Sequence, residues 1–186
     1  MLICLYKCTI WGGIITYARQ KEIKSLMIKL SQKTIREIKG VYRVIRDTIS
    51  SGKTILFVGT KPQAQQTLKE EAQRCGAFYV NQRWLGGTLT NFETIKKSIT
   101  NMEQLEKMKS DGIFDKLSKK EATMKTKQLT KLQNDLEGIR EMRDLPGIVF
   151  IVDTVKENIA LREAKRMKIP VVAICDTDAD PELVDY

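Results

Sequence analysis

The stretch Gln82–Asn91, QRWLGGTLTN, gathers the side chains best suited to holding a polyanion. Arg83 and Trp84 supply a cation beside a stacking plane, and Gly86-Gly87 let backbone N–H groups come close to a ligand. Thr88, Thr90 and Asn91 add hydroxyls and an amide, a mixture that fits a sugar-phosphate backbone. Lys96 and Lys97, a little further on, can add phosphate contacts. A plainer reading stands beside this one. In it Trp84 and Leu85 pack beneath the helices that follow, and the glycines only permit the turn.

Other constellations fail on spacing. Gly52-Lys53-Thr54 has the end of a phosphate loop, but Asp47 stands where the first glycine is needed, and the lysine precedes a strand instead of following one. Gly59 lacks the further glycines of a dinucleotide fingerprint and reads as a point of close helix–strand approach. Asp176-Thr177-Asp178-Ala179-Asp180 follows a strand, where carboxylates can hold Mg²⁺ and act as phosphoryl nucleophiles. As a calcium loop it fails, because Pro181 takes the place of the required glycine. An enzymatic alternative therefore rests on Asp153 and Asp176, as a Mg²⁺-dependent phosphotransferase. With no histidine in the chain, His-based triads, Cys-His pairs and His-ligated zinc are excluded. Cys4, Cys8, Cys75 and Cys175 form no C-x-x-C pair and read as reduced, buried thiols of an intracellular protein. No metal ligand set and no cofactor is expected.

The 186 residues suit one domain carrying an inserted arm. Hydrophobic residues reach 42%, enough for a core, while aromatics are only 6%. Lys and Arg number 32 against 23 Asp and Glu, a formal charge of +9 that favours nucleic acid over membrane as partner. The excess is uneven: the first 53 residues hold 11 of the basic groups and 3 of the acidic ones. The opening MLICLYKCTIWGGIITY is apolar but too short and glycine-interrupted for a membrane span, and it lacks the layout of a signal peptide.

The elements that must position these residues follow from periodicity. Ile35, Ile38, Val41, Tyr42, Ile45 and Ile49 recur at helical spacing from Thr34 onward, with Ser51-Gly52 as the stop. Short apolar runs at Thr54–Val58, Ala77–Asn81, Ile148–Val152 and Val171–Cys175 read as parallel strands. Helices fill the gaps, one opening at Pro62 and ending near Cys75, another over Lys156–Met167. Between the second and third strands lie two amphipathic stripes, Phe92, Ile95, Ile99, Met102, Leu105, Met108 and Leu129, Leu132, Leu136, Ile139. Joined by a short linker through Ser110-Asp111-Gly112, they read as a coiled helical hairpin. The expected organisation is a segment over 1–30, an α/β domain over 31–91 and 146–186, and a helical hairpin over 92–145. The fold class is an open, doubly wound parallel sheet in three α/β/α layers.

KTILFVGTKPQAQ (Lys53–Gln65), RCGAFYVNQRWLGGTLTNFETIKKSI (Arg74–Ile99), DGIFDKLSKKEA (Asp111–Ala122) and Leu145–Tyr186 closely resemble the S-two family of small-subunit ribosomal proteins. Pro146, Asp153, Glu157, Leu161, Glu163 and Lys168-Ile169-Pro170 keep the family spacing. The likeness runs from about Ser31 to Tyr186. It implies a flavodoxin-like domain with a protruding antiparallel coiled-coil hairpin, and a structural protein without catalytic activity, cofactor or small-molecule substrate. It also implies partners: small-subunit rRNA and neighbouring small-subunit proteins, with protein S-one held nearby. The implied location is the ribosome, cytoplasmic or organellar. On this reading the RNA-contacting residues are Lys61, Gln63, Arg83, Trp84, Gly86, Gly87, Thr88, Asn91, Lys96 and Lys97.

The family opening, with its histidine-bearing element, is missing, so residues 1–30 read as divergent or frame-altered, with Ser25–Leu30 as a candidate first strand. The family also continues past the position of Tyr186, into a further proline-containing segment and a helix.

Overall fold

The computed structural model describes residues 35–175, 179–180 and 184–186. The candidate strand at Ser25–Leu30, the cysteines Cys4 and Cys8, and Asp176 lie outside the described residues. Helix α1 covers residues 35–50. A boundary between two units of the chain falls within it, between Asp47 and Thr48. The α/β body and its arm belong to the unit from Thr48 onward.

Gly52 breaks the helical path with φ 76°, where its N–H donates to the Ile49 carbonyl at 2.9 Å. The body then alternates strand and helix: β1 (Ile55–Val58), α2 (Pro62–Cys75) and β2 (Phe78–Val80), and after the arm β3 (Ile148–Val152), α5 (Asn158–Arg166) and β4 (Val171–Ile174). All pairings are parallel, in the order β2-β1-β3-β4. Pro62 opens α2 and Gly76 closes it in the left-handed conformation, as the residue types dictate.

Both sheet faces are covered. Leu56, Val58, Val80, Val149 and Ile151 share one core with Ala160, Leu161 and Ala164 of α5 and with the arm helices. The alternate residues Phe57, Tyr79 and Val152 meet Leu68 and Ala72 of α2 on the other face. A Cβ on Gly59 would sit 2.8 Å from the Leu68 side chain and 3.2 Å from that of Val152, so its glycine does permit the close approach. Cys75, expected to be buried, is instead exposed: it shares the helix face of Leu68 and Ala72 but stands at the last position of α2, where Gly76 ends the helix.

The arm consists of α3 (Phe92–Ser110), a 3₁₀ turn (Ile113–Lys116) and α4 (Lys119–Leu136). Ser118 caps α4 in a full capping box with Glu121. The helices run antiparallel: Gln133 donates to Glu106 at 2.6 Å, and Arg140 lies 3.2 Å from Glu103. Ile95, Ile99, Met102, Leu105, Leu129 and Leu136 are buried between them and the body. After Leu136 the path tightens into a 3₁₀ turn, Glu137–Ile139, lying against the outer strand β2. Gly138 makes this possible, since any Cβ there would overlap the Tyr79 carbonyl and lie 2.7 Å from its ring.

At the opposite edge the chain returns to β4. Tyr186 donates to the Val171 carbonyl at 3.2 Å and accepts from the Ala173 N–H at 3.0 Å, the bonding pattern of a parallel ladder. Among the described residues no helix is long and apolar enough to cross a membrane.

Candidate nucleic-acid interface

The Gln82–Asn91 loop leaves the carboxyl end of β2. Asn81 ties its start to α2, donating through Nδ2 to the Gln65 carbonyl at 3.3 Å. Gly87, at φ 91°, turns the chain, and its carbonyl accepts from Asn91 N–H at 2.8 Å. The loop then wraps a single carboxylate. Glu163 of α5, only 7% exposed, accepts at Oε1 from the Trp84 indole (3.2 Å) and Gly87 N–H (2.7 Å). Its Oε2 accepts from the N–H groups of Leu89 (2.9 Å) and Thr90 (3.3 Å) and from the Thr90 hydroxyl (3.4 Å).

Burial pushes this carboxyl up. The N–H groups of Gly87 and Leu89, the indole and the Thr90 N–H together outweigh that push, so Glu163 is held below the ordinary glutamate value. Dipoles, not a cation, hold the buried charge. Glu163 is the residue that motif reading of the loop missed. Its signal was an acid on the face of α5 that otherwise carries Ala160, Leu161 and Ala164.

The loop residues therefore separate into two sets. Trp84 and Thr88 are buried, the indole N–H is committed to Glu163, and the Thr88 hydroxyl donates to the Leu85 carbonyl at 2.6 Å. The stacking plane expected of Trp84 is thus turned inward, as in the plainer packing reading, because burying the indole completes the core under the arm. Arg83, Gly86 and Asn91 are exposed, and Gly87 is half-buried. Asn91 stands at the N-cap of α3 but its side chain caps no backbone N–H; its Oδ1 accepts from the Thr94 hydroxyl at 2.8 Å. Lys97 is exposed, whereas Lys96 lies over the Phe92 ring, 4.8 Å from its centre, and 3.4 Å from Glu93 Oε1.

Lys61 and Gln63 lie apart from this set, at the start of α2. Gln63 is exposed. Lys61 Nζ is 2.8 Å from Asp153 Oδ2. This pair sits between the carboxyl ends of β1 and β3, where strand order reverses and open α/β sheets usually receive ligands. Here the segments that follow the two strands are bonded to one another across that point. The buried Glu157 carboxylate accepts from the N–H and hydroxyl of Thr60, and Lys156 Nζ donates to the Thr60 carbonyl at 2.8 Å. The Lys61 hydrogen bond is the main cause holding Asp153 below the usual aspartate value. Its other oxygen, Oδ1, accepts from the Lys156 N–H at 3.2 Å, so both oxygens of Asp153 have partners within the fold.

The model of the family described as Ribosomal protein S2 matches residues 14–186. This chain belongs to the ribosomal protein S2 family. The family match begins upstream of Ser31, so it takes in part of the segment that reads as divergent. Among the curated relatives, the small ribosomal subunit protein uS2 of Treponema pallidum is 57% identical over 155 residues, 83% of this chain and 53% of its own length. The uS2 protein of Endomicrobium trichonymphae is 55% identical over 155 residues, covering 83% and 64% of the two chains. That of Campylobacter curvus is 54% identical over 165 residues, covering 89% and 63%. The chain thus spans between about half and two thirds of the length of these relatives. The parallel sheet and its flanking helices are those of an α/β member of the ribosomal protein S2 family.

Proposed function

We propose that this chain is a structural component of the small ribosomal subunit, binding small-subunit rRNA and neighbouring ribosomal proteins without turning over a substrate. The observation that carries this reading is the family match over residues 14–186. The geometry supports it in two ways: Lys61–Asp153 and Thr60–Glu157 pair across the strand ends, and a loop pinned by Glu163 presents Arg83 outward, with Lys97 exposed on the helix that follows. Arg83, Gly86, Gly87, Asn91, Lys96 and Lys97 form the principal RNA-facing set, with Lys61 and Gln63 as a second point at the start of α2. Trp84 and Thr88 act from beneath, as supports. Protein S-one is among the proposed protein neighbours, and the proposed location is the ribosome, in the cytoplasm or an organelle.

Phosphate neutralisation with counterion release is the proposed source of affinity, which makes binding steeply salt-dependent. Arg83→Ala combined with Lys96→Ala should weaken incorporation into small subunits in sedimentation, with an unchanged far-ultraviolet circular dichroism spectrum. Unchanged incorporation would remove this surface from the interface.

A further inference from the structure

An open groove of about 520 Å³ separates the loop after β2 from the outer face of α4. Gln82 and Arg83 form one wall; Lys127, Thr130, Lys131 and Asn134 form most of the other. We propose that this groove is a second RNA contact, seating a sugar-phosphate strand between the body and the arm, with Arg83 on one side and Lys127 and Lys131 on the other. The proposal rests on the RNA-binding reading above and extends it to arm residues outside the loop set.

Three observations carry it. Lys127 and Lys131 are one helical turn apart on one face, both exposed, and with Arg83 they form no ion pair among the described residues. Cations nearer the seam between the arm helices are treated differently: Arg140 finds both Glu103 and Glu106. Secondly, the groove lining holds a single carboxylate, Asp135, against three cations. Thirdly, no apolar residue lines it. A protein partner would want an apolar, aromatic-rich centre, whereas nucleic-acid backbones are gripped by cations and amides.

The threonines are not the donors. Thr126 and Thr130 return their hydroxyl hydrogens to the carbonyls of Ala122 and Thr126, at 2.8 and 3.0 Å. Donation to phosphate oxygens is left to Arg83, the two lysines and the amides of Gln82 and Asn134. Each neutralised phosphate releases counterions, so each cation has a separable signature in the salt dependence.

The test uses the full chain and transcribed bacterial small-subunit rRNA, with binding titrated between about 50 and 200 mM salt. Wild type is compared with Lys127→Gln plus Lys131→Gln, with Arg83→Gln, with all three changes, and with the control Lys109→Gln at the end of α3. The slope of log affinity against log salt should flatten by about 0.7 per removed contact on a single strand, so by about 1.4 for the lysine pair and about 2 for the triple variant. The control should leave it unchanged. Slopes in the groove variants equal to wild type, or matched by the control, overturn the groove while leaving the RNA-binding reading in place. A wild-type chain that ignores the RNA sinks both. Unchanged RNA affinity with lost incorporation into particles would make the groove a protein contact and overturn the proposal.

Discussion

Trp84 and Glu163 are 79 positions apart in sequence, yet the indole Nε1 donates to the Glu163 carboxylate at 3.2 Å. That bond pins the loop after β2 to a helix that enters the fold only after the whole arm has been inserted. Removing the carboxylate with Glu163→Ala strands the buried N–H of Leu89 and the indole, and loosens Gly87 and Thr90. We expect a loss of about 4 kcal/mol in urea denaturation, since each unpartnered buried donor costs about 1–3 kcal/mol. Glu163→Gln keeps the shape but loses the charge and one acceptor, and should cost about 2 kcal/mol. A loss below about 0.5 kcal/mol in Glu163→Ala would show that water replaces the carboxylate.

The same carboxylate sets part of the acid limit of stability. Its folded-state value is depressed, so its stabilisation is complete above the ordinary glutamate range near pH 4.3 and fades as pH falls through the lower, folded value. Asp153, held down chiefly by Lys61, acts in the same direction. Denaturation midpoints measured from about pH 6 down to 3 should fall in wild type and fall less steeply in Glu163→Gln. Parallel profiles would mean that Glu163 takes up its proton equally in both states.

Two glycines should respond oppositely to the same methyl group. At Gly138 it would overlap the Tyr79 carbonyl and lie 2.7 Å from a ring carbon, so Gly138→Ala must push the foot of the arm off β2, at about 3 kcal/mol. At Gly86 nothing lies within 4 Å, and Gly86→Ala should stay within about 1 kcal/mol of wild type. Thermal melting of the two variants side by side checks the contrast, and equal midpoints would contradict it.

Asp153 adopts φ 74°, a conformation that asparagine tolerates. Asp153→Asn should therefore fold, losing only the partly solvent-screened pair with Lys61, about 1 kcal/mol. Added Mg²⁺ should shift the melting of neither protein. A Mg²⁺-dependent rise in wild type that vanishes in Asp153→Asn would revive the phosphotransferase reading.

Strand and helix order came from local pattern. Apolar runs such as Ile148–Val152 are self-announcing, and Pro62, Gly76 and Ser118 mark helix ends through backbone chemistry that needs no distant partner. Membership of the S-two family was likewise legible, in long motifs held in fixed order. The strand ends were less so: Ala77 and Asn81 fall outside β2, because ladder pairing with β1 reaches only Phe78–Val80.

The amino-acid order alone therefore determined the succession of elements, the excess of positive charge and the cluster of polar groups around Arg83. Folding decided which of those groups face outward. Trp84 and Arg83 are chain neighbours of equal promise for gripping RNA, but one is committed to Glu163 and the core while the other is exposed. The groove that joins Arg83 to Lys127 and Lys131 likewise exists only once the arm returns to the body. Burial and hydrogen-bond partnership are properties of contacts between distant segments, and periodicity reports only on near ones.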